Sequence, residues 1–168
     1  MKLHSLVMDA STLILLAKID LLPMAAERTS IVIPEEVRGE VLAKPKVYDA
    51  QIIARMIRDG NILVKKVKQG SETRKICEQF RIDPGEAAAL ILAMKKKCAI
   101  GIDDGPGIRA AKVLGIPFVT AMNILVEFCE RGILDQPSAM SKLESLQMVG
   151  RYHIQIVEDA RSSIRKRR

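Results

Sequence analysis

Acidic side chains stand at four points of this chain where an apolar run ends or a helix begins. Asp9 follows Leu6-Val7-Met8, and Glu40 closes the stretch Pro34-Glu35-Glu36-Val37-Arg38-Gly39-Glu40. Glu86 lies in Asp83-Pro84-Gly85-Glu86-Ala87, and the pair Asp103-Asp104 follows Ala99-Ile100-Gly101-Ile102. In an open parallel sheet the carboxyl ends of the strands gather along one edge, so acids far apart in sequence can meet there. Converging carboxylates are hard oxygen ligands and bind Mg²⁺ or Mn²⁺.

Each position also has a structural use. Asp9, in Asp9-Ala10-Ser11, can cap a helix, and Glu86 can close a capping box with Asp83. Glu40 can be one of several acids on a charged helix, although it lies nearer the Val37/Val41 face than Glu35 or Glu36. Asp103 and Asp104 precede Gly105-Pro106-Gly107, where a turn and a cap account for both. Ser, Thr or Asn would cap equally well, so acids at all four places point to a metal site.

Other chemistries fit less well. No G-x-G-x-x-G follows the first strand and no G-x-x-x-x-G-K-[ST] occurs, which disfavours a nucleotide-binding loop. A phosphatase with an Asp-x-Asp pair would need an acid where Ser11 stands. A serine hydrolase needs a poised histidine, and neither His4 nor His153 sits at a strand-to-helix turn. The three cysteines, Cys77, Cys98 and Cys129, have no C-x-x-C spacing and there are only two histidines, which argues against zinc. No apolar stretch approaches the ~20 residues of a membrane helix and none reads as a signal peptide, so a cytoplasmic, reducing compartment is expected.

The elements that must carry these acids follow from periodicity. Short apolar, partly β-branched runs predict strands at 3–8, 31–33, 62–64 continuing to 67, 98–102 and 117–119. Helical patterns fill the gaps at 11–18, 22–27, 34–42, 48–58, 72–79, 84–96, 106–114, 121–131, 138–148 and 154–167. The helix at 84–96 has Asp83 as its cap and Pro84 at the first position. Its body is apolar on every face, so it should be buried rather than amphipathic. The alternation predicts an α/β fold, a central parallel sheet with helices on both faces. The 168 residues read as a single domain with residues 133–168 as a C-terminal helical extension.

The net charge is +7, and Arg165, Lys166, Arg167 and Arg168 supply four of those charges. Such a tail suits a phosphate backbone, and it also serves as a solvated end. With no Trp, two Tyr and three Phe, the chain lacks stacking platforms, so nucleic-acid binding should be led by the backbone.

At this level the residues resemble the PIN-domain (PilT N-terminus) family of metal-dependent nucleases, which includes the toxin ribonucleases of VapC-type toxin–antitoxin pairs. Val7-Met8-Asp9-Ala10-Ser11 resembles the family's first motif, and 18–22 with 31–40 resemble the stretch leading to its second acid. Gly85-Glu86-Ala87-Ala88-Ala89-Leu90 is similar to the third, in the subgroup with Glu. Ile102-Asp103-Asp104, with the helix from Arg109 to Ile116, resembles the fourth. Where many relatives have Gly-Thr after the last strand, this chain has Thr120-Ala121, and a later Gly is Asn123.

The resemblance implies a three-layer α/β/α fold and an RNA-hydrolysing site with one or two Mg²⁺ or Mn²⁺ ions. Asp9, Glu86 and Asp103 would be the main ligands, directly or through water, with Ser11 orienting Asp9 or a metal-bound water and with Asp104 and Glu40 completing the acidic wall. The choice between Asp103 and Asp104 as principal fourth acid stays open. Arg109 would meet substrate phosphate or pair with a neighbouring acid, and the basic tail 165–168 would meet the backbone. A homodimer and an antitoxin partner are implied in the same way. A non-catalytic binding module and a DNA-directed structure-specific nuclease are the alternative readings.

Overall fold

A computed structural model describes residues 4–166. Five parallel strands form one sheet in the order β3-β2-β1-β4-β5, with β1 at Ser5–Met8, β2 at Ser30–Pro34, β3 at Ile62–Lys65, β4 at Ala99–Gly101 and β5 at Phe118–Val119. Val7 pairs with Val32 on one side and with Ile100 on the other, so β1 is the central strand. Val7 and Met8 are fully buried, as a strand covered on both faces requires. The third strand stops at Lys65 rather than running to Val67, because its pairing with β2 ends opposite Pro34.

Right-handed crossovers then fix the layers. From β1 the chain runs through α1 (Ala10–Lys18) and α2 (Leu22–Arg28) to β2, then through α3 (Glu35–Val41) and α4 (Tyr48–Arg58) to β3. The sheet grows one way from the centre, and α1 packs on α2, α3 and α4 along one face. The chain returns through α5 (Ser71–Phe80) and α6 (Pro84–Lys96) to β4 on the far side of β1, and α7 (Gly105–Val113) leads to β5. These three helices cover the opposite face, α6 packing on β1, β2 and β4 and α5 on α6 and α7. The result is a three-layer α/β/α fold.

α6 explains its own composition. It packs on the sheet and against both α3 and α5, and every residue from Ala87 to Ala93 is buried. A helix without a solvent face has no use for polar residues until its last turn, where Lys95 and Lys96 begin. Burying Leu90 or Ile91 stabilises the fold by roughly 1.5–3 kcal/mol each.

Beyond β5, α8 (Ala121–Glu130), α9 (Gln136–Val149) and α10 (Ile154–Lys166) come back to α1. α8 and α9 both contact α1, and α10 packs on α8 and α9. Leu143, Leu146, Val157 and Ile164 join the same buried cluster as the sheet. Among the described residues no helix is long and apolar enough to cross a membrane.

The strand order reverses direction between β1 and β4, so two successive crossovers depart to opposite sides and leave a crevice beyond the carboxyl ends of those strands. Asp9 leaves β1 there, with its N–H donating to Gly101 O at 2.9 Å, and Asp103 and Asp104 leave β4 beside it.

Candidate metal centre

Three helices begin at this crevice, and each begins with an acid. Asp9 is the N-cap of α1 and accepts from Ser11 N–H at 3.3 Å. Asp104 is the N-cap of α7 and accepts from Gly107 N–H at 2.9 Å. Glu86 is the third residue of α6 and closes a capping box, its Oε2 accepting from Asp83 N–H at 3.0 Å while its own N–H donates to Asp83 Oδ1 at 2.8 Å. Helix N-termini carry unpaired N–H groups and partial positive charge, which favours negative side chains in those places.

Capping does not exhaust the carboxylates. Asp9 uses Oδ2 for its cap and Asp104 uses Oδ2 for its own, whereas Oδ1 of each is buried with no hydrogen-bond partner among the described residues. Such oxygens are rare in folded proteins and signal a missing partner. Asp9, Glu86 and Asp104 each offer an oxygen within 4.8 Å of the others. An all-oxygen, anionic set with two orphaned atoms fits a hard divalent cation.

A second layer of hydrogen bonds holds the set. Ser11 Oγ donates to Asp9 Oδ2 at 2.8 Å and accepts from Asp103 N–H at 3.0 Å, tying the ends of β1 and β4 together. The Asp103 side chain turns away from the cluster. Its Oδ2 accepts from Thr12 Oγ1 at 2.5 Å and from Ala121 N–H at 3.0 Å, and its Oδ1 accepts from the Tyr152 hydroxyl. Thr12 is fully buried, so this anchorage sits inside the fold.

Crowding and burial leave their mark on the acids. Burial, reinforced by the charge of Asp104 and opposed by the Ser11 bonds, raises Asp9 to about 6. Loss of solvent, together with the neighbouring Asp104 carboxylate, raises Glu86 to about 8. Glu40 stands at the rim, an exposed residue whose Oε2 reaches over α6: a Cβ on Gly85 would lie 3.4 Å from it. Desolvation there, then the charges of Asp83, Asp9 and Asp104, raise it to about 7. Burial also raises Asp103, against the pull of its donors Thr12, Tyr152 and Ala121. Carboxylates that resist ionisation together make a pocket of negative potential that suits a cation.

The geometry therefore brings Asp9, Glu86 and Asp104 together, places Glu40 beside them and uses Ser11 as a bridge. Between the two adjacent acids it puts Asp104 in the cluster and Asp103 among neutral donors. Arg109 is exposed and forms no ion pair among the described residues; a Cβ on Gly105 would lie 3.6 Å from its Nη1. Arg165 and Lys166 are exposed in the last turn of α10, and Arg167 and Arg168 lie outside the described residues.

Three contributors carried no signal in the sequence. Thr12 follows Ser11 but looks like any helix residue, and Ala121 contributes only its N–H. Tyr152 arrives from a segment 49 residues further along the chain than the Asp103 it meets. The Thr120-Ala121 departure from the family pattern finds its place here. Thr120 and Asn123 form a capping box for α8, which aims the Ala121 N–H at Asp103.

A profile of the PIN-domain family matches residues 5–164, a span that takes in all five strands and every acid of the cluster. No curated protein matches the chain. Over that span the chain belongs to the PIN-domain family.

Proposed function

We propose that the chain is a Mg²⁺- or Mn²⁺-dependent nuclease that hydrolyses RNA phosphodiester bonds. The observation that carries this reading is the trio Asp9, Glu86 and Asp104, gathered within 4.8 Å at the reversal of the sheet, with Oδ1 of both aspartates buried and unpartnered. Helix capping accounts for one oxygen of each aspartate and leaves the other unexplained.

Asp9, Glu86 and Asp104 would hold the cation. When bound, it would supply a lowered pKa for a water and charge neutralisation at the scissile phosphate. Ser11 fixes the Asp9 carboxylate in one orientation and, through Asp103 N–H, locks it to β4. Asp103 braces the site from behind through Thr12 and Tyr152. Glu40 closes the acidic wall on the α3 side, next to Gly85. In the reaction the oxygen of water bonds to phosphorus, the P–O bond to the leaving ribose oxygen breaks, and that oxygen takes up a proton.

The chain works here as a single domain, with α9 and α10 as a helical addition that reaches the site through Tyr152. A toxin role and a homodimer belong to the same proposal. A small antitoxin-like reading frame beside this one and a dimer mass in solution would support them.

The test is cleavage of single-stranded RNA and DNA of matched sequence with Mn²⁺, with Mg²⁺ and with chelator. RNA should be cut only with metal, and Asp104→Asn should abolish cutting. Equal cutting by Asp104→Asn, or cutting in chelator, would overturn the assignment. DNA cut in preference to RNA would replace the substrate.

A further inference from the structure

The corner between α9 and α10 forms a second wall beside the acids. Tyr152 comes from this corner, and its hydroxyl donates to Asp103 Oδ1. The turn is tightly seated: a Cβ on Gly150 would lie 2.6 Å from the Tyr152 ring and 2.9 Å from Leu146 O, so a larger residue would lift the ring out. Between the corner and α1 lies a cavity of about 280 Å³ that opens onto Ser11, Asp103 and Asp104.

Its lining has two characters. Ile14 and Leu15 from α1 and Val149 from the corner give an apolar wall, and Val149 remains 41% exposed. Lys18 and Arg151 are the cations of the lining. Both are exposed and neither forms an ion pair among the described residues. Unpaired cations beside a cluster of acids suit an anionic ligand that also has a flat apolar body. The volume falls just under the ~300–1,000 Å³ of small-ligand sites, too small for a duplex.

Resting on the nuclease reading, we propose that this cavity is a subsite for one nucleotide of single-stranded RNA, the one adjoining the scissile phosphate. Its base and sugar lie against Ile14, Leu15 and Val149, and its flanking phosphate lies between Lys18 and Arg151. The corner thus decides on which side of the acids the strand runs.

The experiment compares the wild-type chain with Val149→Trp, which fills the cavity from an exposed position, and Arg151→Ala, which removes one cation. Val113→Trp, at a 68% exposed position of α7, is the control for adding a bulky surface residue. Anisotropy of a labelled single-stranded RNA hexamer gives binding, with and without Mn²⁺, and initial rates on the same sequence give KM. Calorimetric Mn²⁺ titration and circular dichroism melting accompany each variant.

Val149→Trp and Arg151→Ala should each raise Kd and KM for the RNA by about tenfold. Arg151→Ala should also flatten the salt dependence of binding by about 0.7, the slope of one single-strand phosphate contact. Mn²⁺ affinity and melting should stay at the wild-type values, and Val113→Trp should bind RNA as the wild type does. Cleavage with unchanged KM in both variants overturns the subsite and leaves the nuclease standing. Arg151-dependent binding without cleavage supports the subsite and overturns the nuclease. A wild-type chain that does not bind the hexamer overturns both.

Discussion

Ser11 and Asp103 are 92 residues apart and share a hydrogen bond of 3.0 Å, the serine hydroxyl accepting from the aspartate N–H. Because the same hydroxyl donates to Asp9 at 2.8 Å, one side chain fixes the distance between the ends of β1 and β4. The crevice between those strands is therefore a braced structure rather than a gap.

Ser11→Ala removes both bonds and strands the Asp103 N–H. Equilibrium unfolding in urea should show a loss of about 1–3 kcal/mol. Metal affinity or cleavage should fall by about 10–100-fold, the usual effect of removing a group that orients a ligand. A variant with wild-type stability and wild-type metal affinity would show that the bridge has no role.

Stability of the metal-free protein should fall as pH rises. Asp9, Glu40 and Glu86 titrate at about 6, 7 and 8 in the folded chain, against 3.8 and 4.5 for unperturbed Asp and Glu. The folded state thus binds more protons than the unfolded state between those values, so unfolding free energy declines with pH across the interval. The contribution of these acids is whole below about pH 4, where both states are protonated, and is lost progressively as pH rises through about 6 to 8. Asp9 alone accounts for roughly 2–3 kcal/mol. Thermal melts in chelator at about pH 5 and pH 8 should differ by several degrees, at ~2–4 °C per kcal/mol for a chain of this size. Saturating Mg²⁺ should shrink the difference, since a cation favours the charged forms. Equal melting at the two pH values in chelator would contradict the crowded site.

Gly107→Ala addresses the fourth motif through packing. A Cβ there would lie 2.3 Å from Cδ1 of Ile102 and 2.6 Å from Oδ1 of Asp104, the orphaned oxygen of the cluster. The substitution should cost about 1–3 kcal/mol by overpacking. It should also weaken Mn²⁺ binding, which calorimetry would measure. A stable variant with unaltered Mn²⁺ binding would mean that Ile102 yields and Asp104 does not move.

The basic tail has its own signature. Removing residues 165–168 deletes four positive charges and should flatten the salt dependence of RNA binding by up to about 2.8, four contacts at roughly 0.7 each. Cleavage at saturating RNA should be unchanged. An unaltered salt slope would make the tail a solvated end and leave Lys18 and Arg151 to meet the strand.

Much of the fold was legible in the chain because local signals agreed with the tertiary ones. Asp83, Pro84 and Glu86 announce the start of α6, and the apolar body after them announces its burial; both hold. The second helix of the pair at 34–58 begins and ends where its pattern does, at Tyr48 and Arg58. The apolar pattern overruns the end of β3 by two residues, because Val67 is apolar and buried without being paired to β2.

The acids are a more instructive case. In the sequence, capping and metal binding are rival explanations of Asp9, Glu86 and Asp104, yet each takes part in a helix cap and each also joins the cluster. A carboxylate has two oxygens, and here the cap takes one. Choosing between Asp103 and Asp104 is beyond the sequence, since that depends on which of two adjacent side chains turns toward Asp9 and Glu86. Thr12, the Ala121 N–H and Tyr152 settle the direction of Asp103, and two of these come from the part of the chain after the last strand.

Anomalous diffraction from crystals soaked in Mn²⁺ shows whether Asp9, Glu86 and Asp104 hold one divalent cation in common. A peak is expected within coordination distance of Oδ1 of Asp9 and of Asp104, with Glu86 directly or through one water, and it should disappear in Asp9→Asn. No peak at saturating Mn²⁺, or a peak held by Asp103 with Asp104 uninvolved, would contradict the shared site.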